Sequence, residues 1–164
     1  MAVDKKSSAG ELMQVVIFKL AGEEYAVDIG KVREIIKWID VTKIPDTPDY
    51  IDGVINLRSS IIVVVDLEVK LGLKHKGVDS HTRIVILEIS GSSVGIVVDE
   101  VSEVLKIPTS DVREPPAGIA QKIGSDYLKG VAIVGERLLI LVDFDRLLGV
   151  HAEEIKKTAA GGGG

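Results

Sequence analysis

Gly53-Val-Ile-Asn-Leu-Arg-Ser-Ser-Ile-Ile-Val-Val-Val-Asp-Leu-Glu-Val-Lys-Leu-Gly72 aligns without gaps on Gly130-Val-Ala-Ile-Val-Gly-Glu-Arg-Leu-Leu-Ile-Leu-Val-Asp-Phe-Asp-Arg-Leu-Leu-Gly149. Both stretches open on Gly-Val, run through apolar residues to an Asp, and close on Gly. Upstream, Lys31-Val-Arg-Glu-Ile-Ile-Lys37 matches Glu100-Val-Ser-Glu-Val-Leu-Lys106, so the chain is two copies of a unit about half its length. Positions shared by the copies report what the fold needs. Polar positions present in one copy only are better candidates for function, and Asn56 and Arg58 are two of these, standing where the second copy has Ile133 and Gly135.

Each unit reads as a series of short strands. Met13 to Leu20 and Tyr25 to Ile29 flank the polar turn Ala21-Gly-Glu-Glu24, and Thr82 to Ile89 and Val94 to Val98 flank Ser90-Gly-Ser-Ser93. Residues 31 to 37 and 99 to 105 place apolar residues at helical spacing. They predict short amphipathic helical pieces leading into strands near 39–44 and 105–107. Strands follow over 51–57 and 60–65, bent at Arg58 and Ser59, and over 128–134 and 137–142 after a proline-containing loop. Asp66 and Asp143, each followed by a short run ending at Gly72 or Gly149, are helix N-caps rather than catalytic acids.

Short strands in two similar sets hide their edges best by closing on themselves. The expected architecture is all-β, with two tandem SH3-like five-stranded barrels and short helices. Barrel 1 would span residues 12–80 and barrel 2 residues 81–150, with flexible tails at 1–11 and 151–164. Units this small are marginal alone, so the two should pack into one folding unit with a groove between them. With one Trp, three Tyr and two Phe, the core must be built from Val, Ile and Leu, which favour strands where β-branched.

Composition excludes several roles. A formal charge of -5 opposes nucleic-acid binding and attraction to acidic membranes, since both need clustered cations. No cysteine is present, which removes disulfides and thiolate chemistry and fits a reducing, cytoplasmic setting. No run is long enough to span a bilayer. Gly91-Ser-Ser93-Val-Gly95 satisfies the serine-hydrolase elbow pattern, but Ser93 falls in a hairpin, not on a strand-to-helix turn. The glycines of Gly72-Leu-Lys-His-Lys-Gly77 mimic a phosphate loop, yet Val78 and Asp79 stand where Lys and Ser or Thr are required. His75, His81 and His151 lack metal-ligand spacing, and Glu23-Glu24 and Asp99-Glu100 read as solvated neighbours pointing apart. No cofactor or metal is implied.

The order Glu24-Tyr-Ala-Val-Asp-Ile29, Lys31-Val-Arg-Glu-Ile-Ile36, Ile51-Asp-Gly-Val-Ile-Asn-Leu-Arg58, Val64-Val-Asp-Leu67 and Val94-Gly-Ile-Val-Val-Asp-Glu-Val101 resembles the CheW-type chemotaxis coupling proteins over about residues 13 to 149. Ser59 departs from the Gly that the family usually has, and Val63 from a frequent Pro. The resemblance implies a noncatalytic adaptor that holds the regulatory domain of a CheA-type histidine kinase against the cytoplasmic tips of chemoreceptors, and so a cytoplasmic protein recruited to membrane receptor arrays. It also implies a receptor-facing surface of Val32, Glu34, Gly53, Arg58 and Val101, to which the asymmetry of the repeat adds Asn56. The kinase-facing residues stay unassigned. A detached regulatory domain of a histidine kinase is the alternative binding module, and a hydrolase using Ser93 the alternative enzyme.

Overall fold

Val15 to Phe18 is apolar at four consecutive positions and all four side chains are buried, the mark of a strand covered on both faces. That double burial organises the molecule. The computed structural model describes residues 11–73, 77–149 and 151–162; the tail expected over 1–11 falls, Glu11 apart, outside them, as does His75. The strands are β1 (Leu12–Leu20), β2 (Glu23–Asp28), β3 (Val32–Lys37), β4 (Ile51–Leu57), β5 (Ser60–Val65), β6 (Arg83–Ile89), β7 (Ser92–Val98), β8 (Glu100–Pro108), β9 (Val112–Arg113), β10 (Leu128–Val134) and β11 (Arg137–Val142). The helices are α1 (Leu67–Lys70), α2 (Ala117–Ile123), α3 (Phe144–Gly149) and α4 (Ala152–Gly162).

The protein is all-β with short helices, and it has two SH3-like subdomains. One sheet has six strands in the order β8-β1-β2-β11-β10-β9, and the other five in the order β3-β6-β7-β5-β4. The sheets do not divide the chain at residue 80. Hairpin β1–β2 joins the second half of the chain through a parallel pairing that sets Ile140 opposite Tyr25, while β6–β7 joins the first half, with Val63 opposite Val94. Because the units repeat, a hairpin meets the same local pattern in either half, and the exchanged pairing packs both of its faces.

That packing makes three cores. Val15, Ile17, Leu139 and Leu141 fill the six-stranded subdomain, and Ile55, Ile62, Val64, Ile84 and Ile86 fill the five-stranded one. The alternate residues Val16, Phe18, Tyr25 and Val27 meet Val63, Val65, Leu87 and Ile96 in a larger core shared by both sheets. Phe18 stacks on Tyr25 with ring centroids 5.8 Å apart, and Phe144 packs 6.1 Å from Phe18.

The Asp caps and hairpins form where the sequence places them. Asp66 Oδ1 accepts from Val69 N at 3.2 Å and Asp143 Oδ1 from Arg146 N at 3.1 Å, so both copies start their helix in the same way. Residues 32–37 and 100–108 are strands instead of helical pieces, because β-branched residues there pair along β6 and β1. The strand expected near 39–44 is reduced to one bridge, Thr42 to Val54, equivalent to β9 on β10 in the other copy. The expected flexible tail from 151 contains α4, whose Ile155 is buried in the shared core. Asp99 is buried as well, accepting from Ala21 N at 2.9 Å where the chain crosses between sheets, so it is not a solvated neighbour of Glu100.

Gly53 and Gly130 occupy matching bulges, with φ of 153° and 148°. A Cβ on Gly53 would lie 2.2 Å from Thr42 O, and one on Gly130 2.5 Å from Arg113 O. We expect Gly53→Ala and Gly130→Ala each to lose about 3 kcal/mol in urea denaturation, against a small effect for Gly118→Ala, where a Cβ meets open space.

Candidate functional site

The two copies close the same end of their sheets differently. In the six-stranded subdomain, Arg137 at the start of β11 donates from Nε and Nη2 to the two carboxylate oxygens of Glu24, at 3.0 and 2.8 Å. Its Nη1 reaches Glu103 at 2.6 Å. This forked clamp holds the Glu24 carboxyl below the usual carboxylate range and seals the end of the sheet, so Glu24 is not simply solvated. In the five-stranded subdomain the positions equivalent to Arg137 and Glu24 are Ser60 and Ser93, too short to bridge. A groove of about 230 Å³ opens there, with Ile62 and Ile86 from the subdomain core among its lining and Arg33, Glu34, Arg58, Ser60 and Ser93 around it.

Arg58 restores part of the lost closure from the hairpin turn. It pairs with Glu34, which matches Glu103 in the repeat, so each copy sets an arginine against the same strand glutamate from a different backbone position. The pair is weak by construction. The Arg58 side chain is 69% exposed, and exposed ion pairs contribute about 0–1 kcal/mol. Arg33 Nη1 donates to Ser93 Oγ at 3.1 Å, which gives Ser93 a permanent cation for a neighbour, not a base, and argues against the hydrolase reading.

The turn is itself under constraint. Arg58 and Ser59 both have positive φ, 49° and 71°, the geometry of a type I′ hairpin turn. Ala21-Gly22 and Ser90-Gly91 take the same form with glycine at the second position, as the turn prefers. Gly135-Glu136 has positive φ only at Gly135, which is type II′. Ser59 therefore occupies a glycine-favouring position, and Asn56 Oδ1 holds it by accepting from Ser59 N at 3.1 Å.

Of the residues picked out from the sequence, Glu34 and Arg58 come together at this groove, while Asn56 does not line it and only braces the adjoining turn through Ser59. Gly53 serves its bulge. Val32 and Val101 are half-buried equivalents, each packed on the shared core just after a crossover between sheets. The Val32 crossover is fixed by Asp28 Oδ1 accepting from Gly30 N at 2.8 Å and by Lys31 bridging to Asp145 of α3 at 2.7 Å. Arg33, Ser60 and Ser93 were missed as groove residues. The signal for two of them was the replacement of Arg137 and Glu24 by Ser60 and Ser93.

A family model described as the CheW-like domain matches residues 14–151. The chain belongs to the CheW family. The chemotaxis protein CheW of Klebsiella aerogenes is 43% identical over 142 residues, covering 85% of each chain, and that of Treponema pallidum 36% identical over 153 residues, covering 91% of this chain and 88% of that one. The crystal structure of the scaffolding protein TtCheW from Thermoanaerobacter tengcongensis superposes with a TM-score of 0.77 at 37% identity, over 84% of this chain and 88% of that one. Membership and these relatives make the protein a chemotaxis adaptor of the CheW fold. None of its helices, among the described residues, is long and apolar enough to cross a membrane.

A second cluster lies at the base of α4. Lys70 Nζ donates to His151 Nε2 at 2.7 Å, and the His151 ring packs 4.2 Å from that of Tyr50. Burial first, and then the Lys70 charge, lower the His151 pKa from 6.5, so folding favours neutral imidazole. This contribution is full above pH 6.5 and is lost as pH falls below it. His151→Gln should accordingly lose less stability than the parent between pH 7.5 and 5.5, as measured by urea midpoints. Ser59→Gly should raise stability by about 1 kcal/mol by relieving the left-handed backbone, read as a higher thermal transition.

Proposed function

We propose that this protein is a noncatalytic scaffold that couples chemoreceptors to a CheA-type histidine kinase by binding both at once. The observation that carries this reading is the asymmetry of the repeat. The end that the six-stranded subdomain seals with Arg137, Glu24 and Glu103 is open in the five-stranded one and ringed by Arg33, Glu34, Arg58 and two serines.

Such a groove suits recognition. Arg58 has forked donors held by a marginal partner, so a carboxylate or helix-end carbonyl on a receptor tip can take them from Glu34 at small cost. Val32 and Val101, at the two crossovers, supply apolar contact for a helical receptor hairpin laid along the junction of the sheets. Neither contact needs to be strong, because joining receptor and kinase through one scaffold raises the effective concentration of each. A shared array of this kind would place the protein on the cytoplasmic side of the membrane, held there by its partners.

Calorimetric titration against a purified chemoreceptor tip tests the reading. Arg58→Ala should weaken receptor binding about tenfold, a loss of about 1.4 kcal/mol, and leave the thermal transition nearly unchanged. The double variant Ser60→Arg, Ser93→Glu rebuilds the seal of the other subdomain and should remove receptor binding while kinase binding persists. Parental affinity in both variants would overturn the groove as the receptor site. Binding of the parent protein to neither partner would overturn the coupling function.

A further inference from the structure

α4 closes one rim of the shared core. It runs along β5, burying Ile155 and packing Ala159, one turn on, over the edge where Ile61 lies. Lys156 sits beside Ser60, Ser92 and Ser93 at the same place. The repeat supplies a second rim of the same construction. Leu138 is the counterpart of Ile61 and Ile133 that of Asn56, and the two face each other across β10 and β11. Among the described residues no helix covers them, because the chain leaves α1 for β6 where the other copy leaves α3 for α4. Ile133 is 60% exposed and Leu138 39% exposed.

The charge differs as well. Where α4 meets three serines, the open rim carries Arg137, Glu23 and Glu24. Arg137 is shared between Glu24 and Glu103, Lys19 stands opposite Glu24, and exposed Glu136 stands in the adjoining turn, so Glu24, Glu103 and Glu136 outnumber the two cations and the rim is net negative. We infer that this rim of the six-stranded sheet is a docking surface for an amphipathic partner helix. That helix presents two apolar or small residues four apart to Ile133 and Leu138, with Lys or Arg beside them, seated as α4 is seated on the other sheet. The surface lies on the opposite sheet from the Arg58 groove and does not depend on its role.

The test titrates the full-length protein with two synthetic helices of about twenty residues, long enough to hold helix in water. Both carry Leu and Ala four apart on one face; one is flanked by Lys and Arg, the other by Glu. The basic helix should bind, the acidic one should bind at least about tenfold more weakly, and Ile133→Ser and Leu138→Ser should each weaken the basic helix about tenfold. Both positions are exposed, so the thermal transitions of the variants should match the parent. No binding of the basic helix, equal binding of the two helices, or parental affinity in both variants would overturn the inference. So would concentration-dependent self-association abolished by Ile133→Ser, which would assign the rim to a second copy of this chain.

Discussion

The shared core between the two sheets is the constraint on which the rest of the structure depends. A strand with apolar side chains on both faces needs two covers, and β1, β2, β5 and β7 each obtain one from their own subdomain and one from the other. The subdomains are therefore not two independent barrels in contact. The exchange of hairpins makes the contact obligatory, since removing either sheet would expose Phe18, Tyr25, Val63 and Leu87 together. Large aromatic side chains dominate such cores, and most of the few aromatic residues here are spent on this one, with Phe18, Tyr25 and Phe144 in it and Tyr50 and Tyr127 packed against it.

A repeat fused in this way lets function appear as a local difference. The six-stranded subdomain records what a sealed end looks like, and the five-stranded one departs from it through a few substitutions whose backbone frames still match. The arginine has moved from the strand start to the turn, its second carboxylate has become a serine, and a groove is left. Loss of an intramolecular clamp and gain of an exposed, lightly held guanidinium are the same event. The molecule trades a little closure for an exposed guanidinium held by one weak ion pair.

Much of this was legible in the residues. The Ala21-Gly22 and Ser90-Gly91 turns, the Asp66 and Asp143 caps and the matched glycines each carry a local mechanism that tertiary context did not override. Val32, Ile35 and Ile36 were read as helical because their spacing fits a short helix, yet pairing with β6 decides the conformation, and Glu100 to Leu105 was misread on the same grounds. Hairpin exchange had no local signature, since the repeat offers equivalent partners in each half. α4 could not be foreseen because its composition is poor in apolar residues and Ile155 acquires meaning only from the rim it meets. Arg58 stood out by its absence from the second copy, but the Glu34 partner and the groove beneath it come from the closing of the sheet around Ile62 and Ile86.

The interlaced pairing also orders events during synthesis. The five-stranded sheet is drawn from residues 32–98 and can pair once β7 has left the ribosome, whereas β1 and β2 must wait for β8, β10 and β11. Hairpin β1–β2 thus emerges well before the strands that enclose it, and the Glu24 to Leu139 pairing joins segments far apart in sequence. Until then its alternating apolar faces and bare edge are open to other nascent chains, so the nascent protein should depend on ribosome-associated holding factors more than a simple tandem of barrels would.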